Sequence, residues 1–343
     1  MTSRITRLLV IQCLLGLLAS TVSTQSTSAS RIAETPRRAN KPSQFQQGDL
    51  YLCAAVADGG CTSGSPGILR YSPATNELKP LVASYGLATG SLEFDPFRDR
   101  ILCPTAGNVV SEIDSAGRVR RQIPALALFD MATTGSGEVY FTTGGGLWYI
   151  DADDCVHPVV DQATGNPYGF SQVVQVEYDA PTHSVLALSL NYPCPTSVQP
   201  GLMQLFLSPD GSAVTSAAGP FGIGTCGFSP LSLDPGRNGL FLMVESSGAT
   251  AINVDEISPQ SLASTLFAKV AVNQYAFGTG TYSNVLAGAV CVDIHVVGAG
   301  QFVPEMQLLA QGTCGLGTVL QTSSNYPASC IFHSVSDIEE IRH

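Results

Sequence analysis

An all-β fold, most simply a β-propeller of six blades, is what this sequence predicts, and three observations predict it. The first is a weak internal repeat in which a hydrophobic stretch ends in Asp, a turn-rich gap follows, and a second hydrophobic stretch begins. It reads Leu92-Glu93-Phe94-Asp95-Pro96 before Arg100-Ile101-Leu102, Val176-Glu177-Tyr178-Asp179-Ala180-Pro181 before Val185-Leu186, and Leu231-Ser232-Leu233-Asp234-Pro235 before Leu240-Phe241. Looser copies lie at Met131 to Tyr140 and at Ala276 to Leu286. The second stretches begin at 101, 139, 185, 240 and 285, steps of 38, 46, 55 and 45 residues, which is the period of modules made of four short strands. The second observation is the near absence of helical periodicity: short runs of Val, Leu, Tyr and Phe are broken by Gly, Pro, Asn and Asp. The third is a pair of loose ends. The first module lacks an inner strand, and a C-terminal strand at Cys330–Val335 has no partner nearby in sequence. Letting the second complete the first removes two exposed sheet edges at once.

In chain order, the first module has strands at Asp49–Val56, Gly67–Ser72 and Leu78–Ala83, with a tight turn at Ala74–Glu77. The second adds an inner strand, Ser91–Phe94, before Arg100–Pro104, Val109–Ile113, the turn Asp114-Ser115-Ala116-Gly117, and Val119–Ile123. The third runs through Glu138–Thr142, Leu147–Ile150 and His157–Val160. The fourth has Ser184–Leu190, Leu202–Leu207, the turn Ser208-Pro209-Asp210-Gly211, and Ala213–Ser216. The fifth has Leu240–Glu245, Thr250–Val254 and Leu262–Phe267. The sixth reads as one long apolar run, Val285–Val297, with an outer strand at Met306–Leu309. Seven blades is the alternative, if residues 316–335 build part of another. The recurring Asp residues stand at turn starts, where Asp, Asn and Gly bond their own backbone or accept positive φ, so Asp95, Asp179 and Asp234 read as turn chemistry before they read as catalytic acids.

Residues 1–24 have the layout of a secretory signal peptide. Arg4 and Arg7 precede the apolar run Leu8–Ala19, and small residues follow; a membrane span would need about 20 apolar residues, and no other stretch is a candidate. Residues 25–47, rich in Ser, Thr, Pro and Arg, bury too little apolar surface to offset their ordering entropy and read as a flexible leader. That leaves 48–343 as a single propeller domain, expected to be secreted into an extracellular or periplasmic space and monomeric. Residues 1–45 carry a net charge of +5, so 46–343 carry −16 within a whole-chain charge of −11. A body of that sign repels phosphate backbones and excludes nucleic acid as the expected partner. Ten cysteines on a chain with a signal peptide suit an oxidising compartment. Loss of Cys13 with the signal leaves an odd number, so at least one thiol stays single or pairs between chains. Loop positions favour Cys194 with Cys226, then Cys53 with Cys61 and Cys314 with Cys330; alternatively Cys53, Cys103 and Cys291 are strand residues buried as small hydrophobes.

Motifs that would assign a chemistry are missing. There is no Gly-x-Ser-x-Gly elbow, no His-Glu-x-x-His helix and no phosphate loop ending in Gly-Lys-Ser/Thr. None of His157, His183, His295, His333 and His343 has metal-ligand spacing to another. Asp151-Ala152-Asp153-Asp154 begins like a calcium loop but lacks the central Gly, and has Gln162 where a bidentate Glu belongs. No Asn-x-Ser/Thr acceptor exists. What remains is the rim where loops entering the inner strands meet loops between second and third strands. Its oxygen-bearing candidates are Asp58, Asn108, Asp130, Asn191 and Glu245, with Tyr168, Tyr192 and Tyr275 as a candidate aromatic surface.

The run Phe94-Asp95-Pro96, Ile101-Leu102, Ala106-Gly107-Asn108-Val109-Val110, Ile113-Asp114 and Gly117 resembles one repeat of the NHL and gluconolactonase-like propellers. Only the second module carries the pattern well; others keep fragments such as Ile150-Asp151 and Ser208-Pro209-Asp210-Gly211. The resemblance implies the propeller fold. It also implies that channel carboxylates and Asn could bind one divalent cation, calcium or magnesium, that polarises a lactone or phosphoester oxygen. Two functions are therefore expected in competition: a non-catalytic binding or structural propeller whose rim engages a protein or glycan, and a calcium-dependent lactonase or esterase with its site in the central channel.

Overall fold

The computed structural model describes residues 42–57, 65–82, 91–105, 108–126, 128, 130–143, 145–169, 173–189, 201–222, 231–234, 240–247, 251–258, 260–261, 263–271, 279–297, 301–314, 317–322 and 331–342; at 54–57, 65–66, 173–174, 189, 221–222, 231–234, 240–247, 251–252, 264, 270–271, 279, 292–297, 301–304, 322 and 331–336 it describes the backbone alone. Strands β1 (Leu50–Ala57), β2 (Ser65–Ser72) and β3 (Glu77–Val82) begin blade one. Blade two is β4 (Glu93–Asp95), β5 (Arg100–Thr105), β6 (Val109–Ile113) and β7 (Val119–Pro124). Blade three is β8 (Met131–Thr133), β9 (Val139–Thr142), β10 (Leu147–Ile150) and β11 (Val156–Pro158). A two-residue strand β12 (Val160–Asp161) precedes blade four, which holds β13 (Val173–Asp179), β14 (Ser184–Ser189), β15 (Gly201–Leu207) and β16 (Ala213–Gly222). Blade five is β17 (Leu231–Asp234), β18 (Leu240–Ser247), β19 (Ala251–Ile257) and β20 (Ser264–Ala271). Blade six is β21 (Thr279–Ser283), β22 (Gly288–Val297), β23 (Gln301–Leu309) and β24 (Thr318–Thr322), and β25 (Ile331–Glu340) ends the chain.

The C-terminal strand completes the first blade, as the sequence predicts. β25 pairs antiparallel with β1, from Leu50 opposite Glu340 to Ala57 opposite Ile331, with irregularities after Cys53 and after Ala55. The ends meet through Gly48 N–H to the Ile341 carbonyl at 3.0 Å and Ile341 N–H to the Asp49 carbonyl at 2.9 Å. The six inner strands touch in the order β25, β4, β8, β13, β17, β21 and back to β25, which closes the ring. β25 is longer than the predicted 330–335, because Asp337 to Glu340 continue the pairing beneath a polar alternation that local hydrophobicity does not signal.

The core is a set of slabs between neighbouring blades. Leu50, Leu52, Leu69, Tyr71 and Ile338 pack on Val290 and Met306 between blades one and six. Tyr51, Cys53 and Ile68 pack on Phe94, Ile101, Cys103 and Ile113 between blades one and two. Leu102, Val110 and Ile123 meet Met131, Val139, Phe141 and Ile150 between two and three. Ala132, Tyr140 and Leu147 meet Val176, Val185, Ala187 and Leu205 between three and four, and Val254 and Phe267 meet Tyr282, Ala289 and Leu309 between five and six. Each fully buried aliphatic or aromatic side chain in these slabs is worth about 1.5–3 kcal/mol, so stability is spread around the ring. Packing starts ahead of β1. Phe45 is buried against Tyr51 and Phe94 with ring centroids at 5.7 and 5.4 Å, and Ser43 and the Gln44 amide bond to Asp99.

Two elements depart from the sequence reading. Val285–Val297 is a turn and a strand: Ser283 ends β21, Ala287 sits in the left-handed region at φ 53°, Val285 is exposed, and β22 begins at Gly288. An apolar composition hides that turn. Blade four has a fifth strand, because β12 adds in parallel to the outer edge of β16 through Val160 N–H to Ser212 O and Gln162 N–H to Val214 O, both 3.0 Å. That contact covers an edge that would otherwise be open.

Candidate functional site

Antiparallel blades divide the loops between two faces. First-to-second and third-to-fourth strand turns open on the face where the chain ends meet, and their Asp residues are turn chemistry. Asp95 accepts from the Arg98 amide at 3.1 Å, Asp114 from the Ala116 and Arg118 amides, both at 2.9 Å, and Asp151 from the Asp153 and Cys155 amides, both at 2.9 Å. In the fourth blade Gly211, at φ 71°, presents its carbonyl to the Tyr140 hydroxyl at 2.9 Å, and the same hydroxyl blocks the space a Cβ would need. Asp151 also bonds His157 at 2.8 Å. The donors that hold Asp151 and Asp114 keep both carboxyls below the usual range against the opposing effect of partial burial.

The predicted rim lies on the other face. Asn108 joins β5 to β6 as an exposed turn residue at φ 59°, its carbonyl accepting from the Ala125 amide at 2.9 Å. Asp130 leads into β8. Asp58 and Asn191 fall outside the described residues, as do Tyr192 and Tyr275, and of Glu245 only the backbone, within β18, is described. Tyr168 is half-buried beside the slab between blades three and four.

Asp130 belongs to a group of acids whose other members, Glu93, Asp337 and Glu339, have no role in the sequence reading. Its Oδ1 accepts from the Ser91 hydroxyl at 2.8 Å and its Oδ2 from the Val176 amide at 2.9 Å, so one carboxyl ties blade three to blades two and four. Glu93 on β4 accepts from the Thr133 amide at 2.6 Å and the Thr133 hydroxyl at 2.8 Å, tying blade two to three. Asp337 on β25 accepts from the Leu92 amide at 2.6 Å, tying blade one to two. Glu339, two residues further along β25, completes the group. All four come from, or lead into, the innermost strands, and all are half-buried.

Their electrostatics follow from that position. Burial pushes Asp130 up to about 7 against the lowering effect of the Val176, Ser91 and Met131 donors. Burial likewise raises Glu93 well above the usual carboxylate range, with Glu339 and Asp130 adding repulsion, and raises Asp337, with Asp130 adding more. Glu339 is raised by burial although Arg342 draws it down. Like charges in a low-dielectric ring cannot all ionise cheaply, so protons are retained near neutrality. A signal for three of these acids does exist in the sequence: in Leu92-Glu93-Phe94 and Asp337-Ile338-Glu339 carboxylates alternate with buried apolar residues on an inner strand.

Chemically, the group stitches blades together and holds exchangeable protons. Among the described residues no three of His, Cys, Asp and Glu are arranged to hold a metal ion. Of the five predicted ligands, Asp130 makes two inter-blade bonds and Asn108 stands in an exposed turn; a calcium ion takes six to eight oxygens.

No protein-family model matches the sequence, and no curated protein matches it. Solved structures do. The chain is similar to one from a nidogen/laminin complex, at 13% identity and TM-score 0.55, covering 84% of this chain and 97% of that one. It is also similar to TolB from Acinetobacter baumannii, at 11% identity and TM-score 0.51, over 81% of this chain and 66% of TolB. A putative 6-phosphogluconolactonase from Bacteroides fragilis aligns at 9% identity and TM-score 0.49, over 88% and 100%. At these identities the likeness is one of fold: the chain is a β-propeller, the fold that the resemblance of its second module implies. Among the described residues no helix is long and apolar enough to cross a membrane.

Proposed function

We propose that this protein is a secreted, non-catalytic propeller that engages a protein or glycan through the rim opposite its chain ends. The observation that supports this reading is how the innermost acids are used. Asp130, the described carboxylate among the predicted ligands, has each oxygen engaged by a donor from a neighbouring blade; Glu93 accepts from Thr133 of the next blade at Oε1, and Asp337 accepts from Leu92 of the next blade at Oδ2. A catalytic carboxylate needs lone pairs aimed at a substrate or an ion; these are aimed at the fold. The similar chain from the nidogen/laminin complex was solved within a protein–protein assembly, and fold by itself leaves function to the site. The signal-peptide layout of residues 1–24 and the cysteine content support secretion.

The test is a binding assay of the full chain against a glycan array and purified extracellular glycoproteins, laminin included, beside a lactone and arylester screen with and without calcium. Saturable binding that Asn108→Arg weakens at least tenfold, with melting temperature unchanged, supports the proposal. Turnover of a lactone or arylester that chelation and Glu245→Ala both abolish replaces it with the calcium-dependent hydrolase.

A further inference from the structure

Five cysteines are described, all as thiols: Cys53, Cys103 and Cys291 buried, Cys155 and Cys314 exposed. Two of them meet. Cys53 lies on β1, the strand next to the C-terminal closing strand, and Cys103 lies on β5, the corresponding second strand of blade two. Both are buried in the same apolar slab, walled by Tyr51, Ile68, Phe94, Ile101 and Ile113. The two thiols face the same slab across the blade boundary, with Cys53 close enough to raise the Cys103 thiol, and Cys103 also reaches the Pro104 carbonyl at 3.6 Å. Cys61, the expected partner of Cys53, lies outside the described residues; among the described cysteines it is Cys103 that shares the slab with Cys53.

We propose that Cys53 and Cys103 are a disulfide-forming pair that locks blade one, the blade assembled from both chain ends, to blade two. The oxidant required is a low-molecular-weight disulfide. One cysteine sulfur, as thiolate, attacks it, forming a mixed disulfide and releasing one small thiol. The second cysteine sulfur then displaces the other small thiol. Two S–H bonds are lost, one S–S bond forms, and the oxidant leaves as two thiols that take up both protons. The surroundings set the timing. The Cys103 thiol is pushed up by its contact with Cys53 and by burial, and Asp337 beside it adds to the effect. A buried thiol of that kind is a poor nucleophile, so the bond forms while the slab is assembling. Once formed it is shielded from reductant, and its contribution comes from constraining the unfolded chain between two distant strands.

The pair is tested on the full chain in two arms, one purified without reductant from an oxidising secretory compartment, the other unfolded, reduced and refolded with mixed reduced and oxidised glutathione. The second arm does not depend on where the protein resides, so failure of the pairing and failure of the secretion reading are distinguishable. Each sample is denatured, alkylated and peptide-mapped. The expected result is a linked peptide carrying Cys53 and Cys103 in both arms, unchanged in Cys61→Ala and lost in Cys103→Ala. The linked form should melt about 5 °C above the reduced one. Should Cys103→Ala fail to fold, Cys53→Ala and the map of the natural chain still decide. Cys53 joined to Cys61, or full alkylation of Cys53 and Cys103 in the refolded chain, overturns the proposal.

Discussion

Asp130 shows at the scale of a single residue how position converts an ordinary carboxyl into a pH-dependent part of the fold. It ionises near 3.8 in an unfolded chain and near 7 in the folded one. Between about pH 4 and 7 the folded protein therefore holds the extra proton, so its stability falls as the pH rises through that window and levels off above it. Glu93, Asp337 and Glu339 are shifted in the same direction. Asp114, Asp151 and Asp210 are shifted the other way, and lose their contribution only as the pH falls below the ordinary carboxylate range. A urea midpoint followed from pH 4 to 8 should be highest near pH 4–5 and decline toward neutrality. Asp130→Asn removes one of these titrations and keeps both bonds, since its carbonyl can accept from Val176 while Ser91 turns to accept from its amide. Its decline across that window should be shallower, by at most about 1.4 kcal/mol per pH step of one, and an unchanged slope would show that Asp130 ionises normally. As a rim residue Asp130 is legible in the sequence, because it immediately precedes the apolar Met131-Ala132. Its job is not, because its partners lie 39 and 46 residues away and no local pattern pairs them.

At the scale of elements, legibility follows locality. Hairpins closed by Asp-Gly-type turns are read almost to the residue: β6 and β10 coincide with the predicted Val109–Ile113 and Leu147–Ile150. The parallel strand β12 leaves no trace, since two residues pairing beyond an outer edge have no periodicity to show. The same holds for the ion-pair cluster that joins the turns of blades two and three. Arg100, buried, reaches Asp95 at 2.9 Å, Asp154 at 3.0 Å, and Glu112. Arg98 adds the Gly137 carbonyl at 2.8 Å and the Asp151 carbonyl at 2.9 Å. Removing one partner from such a cluster strands buried carboxylates, which costs about 3–5 kcal/mol. Arg100→Met should lower the guanidinium-unfolding free energy by that order. Arg118→Met, at an exposed arginine paired with Asp114, should change it by no more than about 1 kcal/mol. Equal effects at the two sites would mean that the cluster is not desolvated in solution.

For the whole molecule the decisive contact is the one between the chain ends. β25 supplies the inner strand of blade one, places Ile338 in the slab against blade six, and sends Asp337 to the Leu92 amide in blade two. Glu340 holds Ser283 at 2.7 Å and the Asn284 amide at 3.1 Å in blade six. One strand therefore touches three blades, and a chain ending before Ile331 should lose more than a strand's worth of burial. The inner edge of β1 is then an open template for another chain, so the truncated protein should run as aggregate on size exclusion and lack a cooperative melt. A second chain separates the loss of these contacts from the mere position of a terminus. With residues 1–41 removed and Ser43–Phe45 kept, joining the body's ends by a Gly/Ser linker is geometrically feasible, since the chain already meets Ile341 at Gly48 through a 3.0 Å hydrogen bond. Reopening the chain at the exposed turn residues Gln260 and Ser261 would make β20, the outer strand of blade five, the first element. If ring closure needs all the strands present, and not one particular terminus, this permutant should be monomeric with a single cooperative transition. A truncated chain that folds normally while the permutant aggregates would show that β25 is dispensable and that closure resides elsewhere in the ring.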